Sequence, residues 1–280
     1  MGGAAHRFGL GELVCTALSD GGHDYTAAEY VANADMSEVE RALDRHGATL
    51  EKIPSPYTCL LIETGGQLVL VDSGAGDSLG PAAGKLHESL PAAGISPDDV
   101  DLVLLTHAHP DHVGWLADED GRPVFANARH LMLREEWEFW SDPDVLAGVP
   151  DVFSTCIRRN LLPIADRFDL LDGEEDVAPG IRMVPAAGHT PGHAAVVVSS
   201  ADDELLYISD AAIHQIHLEH PDWHPVYDLD PERALGTKRE LFDRAADRGS
   251  LVLAFHFEPF PSLGRVTRAA DGWAWAPQPE

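Results

Sequence analysis

Four side chains able to bind a divalent cation fall within six residues of this sequence, in His107-Ala-His109-Pro-Asp111-His112. Imidazole nitrogens and a carboxylate oxygen together suit zinc and related divalent ions. In an extended loop, residues two apart point the same way, so His107 and His109 can grip one ion. Asp111 and His112 turn towards a second ion beyond the bend that Pro110 favours. Burying such a cluster without a cation is costly, because its polar groups would be left uncompensated.

Two complete sites need further ligands, and three candidates stand where strands are predicted to end. These are His193, closing Gly188-His-Thr-Pro-Gly-His193; Asp210, after Leu206-Tyr-Ile-Ser209; and His256, after Val252-Leu-Ala-Phe255. His189, His214, His217, His220 and His224 read as solvated histidines or as groups supporting the ligands.

The elements that must carry these groups are legible in the hydrophobic pattern. Residues 59–63 and 67–72 read as strands joined by a Gly65-Gly66 hairpin turn. The leucine- and valine-rich run 100–105 reads as a buried strand delivering its end into the histidine motif. Further strands are predicted at 124–125 or 131–133, 181–184, 194–199, 205–209 and 251–257. Helices are predicted over 36–46, with Ser37 and Glu40 as a capping box, and over 81–93, 135–140 and 231–248. Strands and helices alternating in this way suit an α/β sandwich of two packed sheets with helices outside.

Composition narrows the classes. The 280 residues, 44% of them hydrophobic, suffice for one large core, so a single domain over 1–280 is expected, with 1–50 as an N-terminal arm and surface helix. Forty-seven acidic against 19 basic residues give a formal net charge of -28, and lysine occurs only at Lys52, Lys85 and Lys238. Such a surface repels nucleic acid. It also resembles the surfaces of proteins from salt-loving organisms, where ionic strength screens self-repulsion. No run approaches the roughly 20 apolar residues of a membrane span, and residues 1–13 lack the pattern of a signal peptide, which implies a soluble, cytoplasmic protein. Cys15, Cys59 and Cys156 are odd in number and widely spaced, as reduced, buried thiols would be.

The H-x-H-x-D-H and G-H-T-P-G-H motifs, the lone downstream Asp210 and the late His256 together resemble the metallo-β-lactamase superfamily, over about residues 58–256. The resemblance implies an αββα sandwich of two mixed β-sheets. It also implies two Zn2+ ions, or Mn2+, Co2+ or Fe2+ in their place. His107, His109 and His193 would hold the first ion, Asp111, His112 and His256 the second, and Asp210 would bridge both. In the G-H-T-P-G-H motif it puts the second histidine on metal and leaves out His189. Val71-Asp72-Ser-Gly74 resembles the family's Asp-Thr-Gly turn, which makes Asp72 a candidate partner for a ligating imidazole.

Two ions some 3.5 to 4 Å apart would lower the pKa of a shared water and present hydroxide as nucleophile. Asp210 would hold the ions and Asp111 would carry the proton, making these two the catalytic carboxylates. The segments 71–76, 209–214 and 255–261 are most similar to the lactonase and methyl-parathion-hydrolase-like group, although Ile213 stands where many acyl-homoserine-lactone lactonases have tyrosine. The expectation is a hydrolase opening a lactone or cleaving a small-molecule ester. The alternatives are an aryl phosphotriester hydrolase, a glyoxalase II-like thioester hydrolase, and a non-enzymatic metal-binding module. Trp115, Trp137, Phe139 and Trp140 could line an apolar pocket, with packing as their commoner role. Hydrolases of this branch are often homodimers, and the N-terminal fifty residues could serve as the interface arm.

Overall fold

The computed structural model describes residues 4–278; the first three and last two residues of the expected 1–280 domain lie outside it. Strand order follows chain order. The first sheet contains β1 (Ala5–Leu10), β2 (Leu13–Tyr25), β3 (Ile53–Thr64), β4 (Gln67–Val71), β5 (Leu102–Leu104), β6 (Arg129–Leu133) and β7 (Phe168–Leu171), paired in that sequence. The second contains β8 (Glu175–Ala178), β9 (Ile181–Pro185), β10 (Ala194–Ser200), β11 (Asp203–Ser209), β12 (Leu251–Ala254), β13 (Leu263–Arg268) and β14 (Trp273–Pro277), again in unbroken order. Both are mixed: β4 to β7 run parallel to one another, as do β11 and β12, and the remaining pairs are antiparallel. The architecture is the αββα sandwich expected from the sequence.

Why the second sheet reads as continuous apolar runs is visible in its alternation. Val196 and Val198, Leu205 and Tyr207, and Leu251 and Leu253 enter the large core that also holds Leu60, Ile62, Val69 and Val103 of the first sheet. Their neighbours Val197, Leu206, Ile208 and Val252 face the other way, onto Leu241 and Phe242 of the helix Pro231–Arg248. Successive side chains of a strand point to opposite faces, so a strand covered on both sides has no polar positions to show.

Several local expectations change. The N-terminal stretch is no arm: β1 and the 13-residue β2 are paired strands of the first sheet, with Cys15, Ala17 and Leu18 fully buried. Its alternation was obscured by Asp20-Gly-Gly, where the β2–β3 register shifts between Ser19 and Gly22. The helix at 36 begins earlier than a Ser37 cap would allow, since the Asp35 carboxylate accepts from Ser37 N–H and caps Met36–Asp44. The helix expected from 81 runs only over Leu86–Ala92. Gly84, at φ +69° with the Gly76 carbonyl against it, turns the chain before that helix starts. The polar stretch before β7 carries two short helices, Pro143–Gly148 and Asp151–Cys156, followed by a π turn. Among the described residues no helix is long and apolar enough to cross a membrane.

Asp20 turns the β2 irregularity into an anchor. Its buried carboxylate accepts from the backbone N–H groups of Ala75, Gly84 and Leu86, tying β2 to the loop that follows β4. Asp20→Ala would strand three buried donors, each at about 1 kcal/mol or more. Urea denaturation should show a loss of at least about 3 kcal/mol at an unchanged denaturant slope, whereas a loss under 1 kcal/mol would remove this anchor from the account.

Candidate metal centre

Every group singled out for chemistry sits just past a strand end. Asp72 follows β4, His107 to His112 follow β5, His189 and His193 lie between β9 and β10, Asp210 follows β11, and His256 lies two residues past β12. His109 is extended and Pro110 opens the short helix Pro110–Val113, so the motif changes direction between its second histidine and its aspartate. Accordingly its members divide. His107 and His109 converge with His189 and Asp210, and Asp111 and His112 converge with Asp210 and His256, with the ligand atoms of each group within 4.8 Å of one another.

Asp210 belongs to both groups. Its Oδ2 lies 3.9 Å from His107 Nε2, 3.4 Å from His189 Nε2 and 3.2 Å from His256 Nε2, while Oδ1 lies 3.3 Å from His112 Nε2. His189 Nε2 is 3.0 Å from His109 Nδ1, and Asp111 Oδ2 is 3.4 Å from His256 Nε2.

His193, the ligand that the resemblance implies for the first ion, lies beside the first group with its two nitrogens on backbone partners. Its Nδ1 donates to the Ala186 carbonyl at 2.9 Å and its Nε2 accepts from Asp210 N–H at 3.2 Å, so both nitrogens are spent on backbone. Burial pushes its pKa down to about 3, which keeps it neutral and able to hold the Asp210 backbone. His189, set aside in the sequence, also turns its Nε2 towards His109 and Asp210. Spacing could not separate two histidines four residues apart in one turn. Asp228 Oδ1 bonds His189 Nδ1 at 2.9 Å and leaves Nε2 directed at the site.

Other imidazoles are oriented in the same manner. His112 Nδ1 donates to Asp72 Oδ2 at 2.9 Å, the contact anticipated for Asp72; His256 Nδ1 pairs with Ser55 Oγ at 2.9 Å; His107 Nδ1 pairs with Thr106 Oγ1 at 3.2 Å. Fixing one ring nitrogen selects the tautomer whose other nitrogen offers a lone pair.

Glu136, which the sequence reading missed, joins the two ligand loops. Its Oε1 accepts from Ala108 N–H and Trp140 Nε1–H, and its Oε2 from the Thr190 hydroxyl and Gly192 N–H. Only glycine allows this approach at 192, since a Cβ there would meet Glu136 N at 2.1 Å.

Charge is divided within the cluster. Burial holds His107 and His109 well below the ordinary imidazole pKa, so both are neutral donors of a lone pair. Burial also opposes a proton on His112, but the carboxylates of Asp210, Asp72 and Asp111 outweigh it and raise His112 well above the usual value. His189 is raised against the same burial by Asp228 and Asp210. For Asp210, burial is overcome by His256 and His112, and its carboxyl stays well below the usual range. His107 Nε2, His112 Nε2 and Asp210 Oδ1 are buried without a hydrogen-bond partner among the described residues, and they point into the clusters. Unpaired polar atoms in such number are costly in a folded chain, and divalent cations answer them, so the residues fit a metal in each group.

Above the clusters opens a cleft of about 200 Å³, floored by His109, Asp111, His189, Asp210 and His256. Its walls carry Tyr25, Tyr30, Phe153, Ile213 and Tyr227. Trp115, Trp137, Phe139 and Trp140 all pack on or in the core instead, Trp140 through its bond to Glu136.

The family profile described as metallo-beta-lactamase superfamily matches residues 53–256. The chain belongs to the metallo-beta-lactamase superfamily. It is a metal-dependent hydrolase, and its two His/Asp groups suit a dinuclear metal site. An N-acyl homoserine lactonase of Bacillus thuringiensis is 26% identical over 206 residues, covering 66% of this chain and 75% of the relative. Among solved structures, the hydrolase AbOPH superposes with a TM-score of 0.92 at 28% identity, over 100% of this chain and 99% of that one. AidC, described as a dizinc quorum-quenching lactonase and solved with a product, gives 0.90 at 26%, over 99% and 98% of the two chains.

Two outcomes follow for the metal-free protein. His112 and His189 have raised pKa values, so the stability they contribute is complete below the ordinary imidazole value of about 6.5 and is lost as pH rises through their folded values. Thermal unfolding of the metal-free chain should therefore occur at lower temperature as pH rises past neutrality, while metal uptake releases protons measurable by calorimetry in buffers of different ionisation enthalpy. Glu136→Gln, which sets an amide N–H2 against two donors, should weaken metal affinity about tenfold to a hundredfold in chelator competition. Unchanged affinity would mean that the two loops hold their positions without it.

Proposed function

We propose that this chain is a dizinc lactonase that hydrolyses the ester bond of a small, apolar-substituted lactone. The observation that carries the reading is Asp210, one carboxylate facing two groups of three further ligand-type side chains at the floor of a single cleft. His107, His109 and His189 would hold one ion with Asp210, and Asp111, His112 and His256 the other. Similarity to relatives named as lactonases, one of them dizinc, supports the choice of metal and bond.

Divalent ions held there supply Lewis acidity, acidifying water and polarising a carbonyl. The chain supplies the rest. Asp210, kept ionised by its imidazole neighbours, stays between the two groups throughout. Asp111 faces the cleft beside His112 and His256, where its carboxylate can take the proton released as water attacks and return it to the departing alkoxide. Tyr227, Phe153 and Ile213 exclude water from the acyl side and give the substrate an apolar wall.

Elemental analysis with a substrate panel tests the proposal. Two zinc ions per chain, together with lactone turnover that is lost on chelation and regained with Zn2+, Mn2+ or Co2+, are expected. Two ions with a preference for an aryl phosphotriester would favour the alternative substrate class, and less than one ion without turnover would sink the enzymatic reading. The ligand assignment has its own check. His189→Ala should lower the metal content towards one ion per chain, whereas His193→Asn should keep more of it while lowering thermal stability.

A further inference from the structure

Three tyrosines line the cleft, and their protons are not equally committed. The Tyr30 hydroxyl donates to Ser55 Oγ at 2.8 Å, and the Tyr227 hydroxyl donates to Glu29 Oε1 at 3.1 Å. Tyr25 differs, because its hydroxyl lies 2.6 Å from that of Tyr57, in a contact where either oxygen could donate. The surroundings decide which one does. Tyr57 is fully buried, stands outside the cleft lining, and among the described residues its hydroxyl has Tyr25 as its one hydrogen-bond partner. A buried O–H without an acceptor costs about 1–3 kcal/mol, so Tyr57 gives its proton to the Tyr25 oxygen. The proton of Tyr25 must then point elsewhere, and Tyr25 is the partner that faces the cleft.

We propose that the Tyr25 hydroxyl is a catalytic hydrogen-bond donor to the substrate's acyl oxygen, with Tyr57 as the positioning residue that turns its proton into the cleft. The assignment rests on the reading of the site as a lactone or ester hydrolase. Negative charge builds on the acyl oxygen as water adds to the carbonyl, and a donor fixed in advance stabilises it without reorganising. Tyr25 is fixed in that way: its ring stacks on Tyr30 at 5.1 Å, meets His23 edge-on at 4.8 Å and Tyr227 at 6.2 Å, and stands 6.5 Å from the ring of His256. The hydroxyl donates a bond and keeps its proton, since burial, with Asp111 nearby, holds the phenol well above its ordinary pKa. Ile213, on the same wall, has no polar atom to offer, and the other two tyrosines have none to spare.

The test uses the zinc-loaded protein and a series of lactones and esters whose leaving alcohols differ in acidity. Tyr25→Phe should lower kcat about tenfold to a hundredfold, with KM and metal content little changed and with the same loss across the series. Tyr57→Phe should lower kcat by less. The double variant should be no worse than Tyr25→Phe alone, a non-additivity that a merely structural role would not produce. An unchanged kcat in Tyr25→Phe overturns the proposal, as does a loss that grows with the pKa of the leaving alcohol, which would put the hydrogen bond on the other oxygen. If the wild type turns over no lactone or ester, the parent reading fails, and the reach of the hydroxyl is then read from hexanoate binding. About tenfold weaker binding to Tyr25→Phe supports it, and equal binding overturns it.

Discussion

The carboxylate of Asp72, which reaches no part of the cleft, fixes the relation between the two sheets and the ligand loop. It accepts from Thr106 N–H and Oγ1 past the end of β5, from His112 Nδ1 in the ligand motif, and from the Tyr207 hydroxyl on β11 of the opposite sheet. Asp72 adopts φ +61°, a left-handed backbone that costs a non-glycine residue about 1–2 kcal/mol. A glycine would avoid that cost and lose every one of these bonds. The strain persists because the surrounding hydrogen bonds over-determine it, which is the usual circumstance of such backbones at functional sites.

The seven clustered side chains run against the ordinary logic of a core. Imidazoles and carboxylates are packed where burial penalises their charged forms, and the cluster responds by splitting: His107 and His109 are neutral, His112 and His189 are biased towards protonation, and Asp210 stays ionised. A chain optimised for folding alone would place apolar groups here, since well-packed hydrophobic residues replace buried charges at little or no cost. Local inconsistency of this kind, inside a fold whose strands otherwise agree with their patterns, marks where chemistry outweighs stability.

Much of this was legible in the sequence because it depends on short-range order. The hairpin at Gly65-Gly66, the runs in β10, β11 and β12, and the histidine motif past β5 announce themselves through period, turn residues and spacing. What stayed hidden depends on partners distant in the chain. Glu136 looked like one more acidic residue on an amphipathic helix, and nothing local shows that its carboxylate is buried under two loops 28 and 56 residues away. Likewise the partners that orient His189 and His193, the Asp228 carboxylate and the Ala186 carbonyl, are reachable only in three dimensions. In β2, Asp20 and two glycines broke the alternation that would have announced a strand, and their reason lies in backbone groups of residues 75 to 86.

Strand order that follows chain order has a consequence for how the protein is made. All seven strands of the first sheet precede residue 172, so a ribosome delivers that sheet entire before any of the second exists. At that stage His107, His109, Asp111 and His112 have been synthesised, while His189, Asp210 and His256 have not. Neither half of the nascent chain owns a complete site, and an ion caught early has at most half of its final ligands. The ligand groups are therefore complete only once the two halves dock, because Asp210, which belongs to both, lies in the second half.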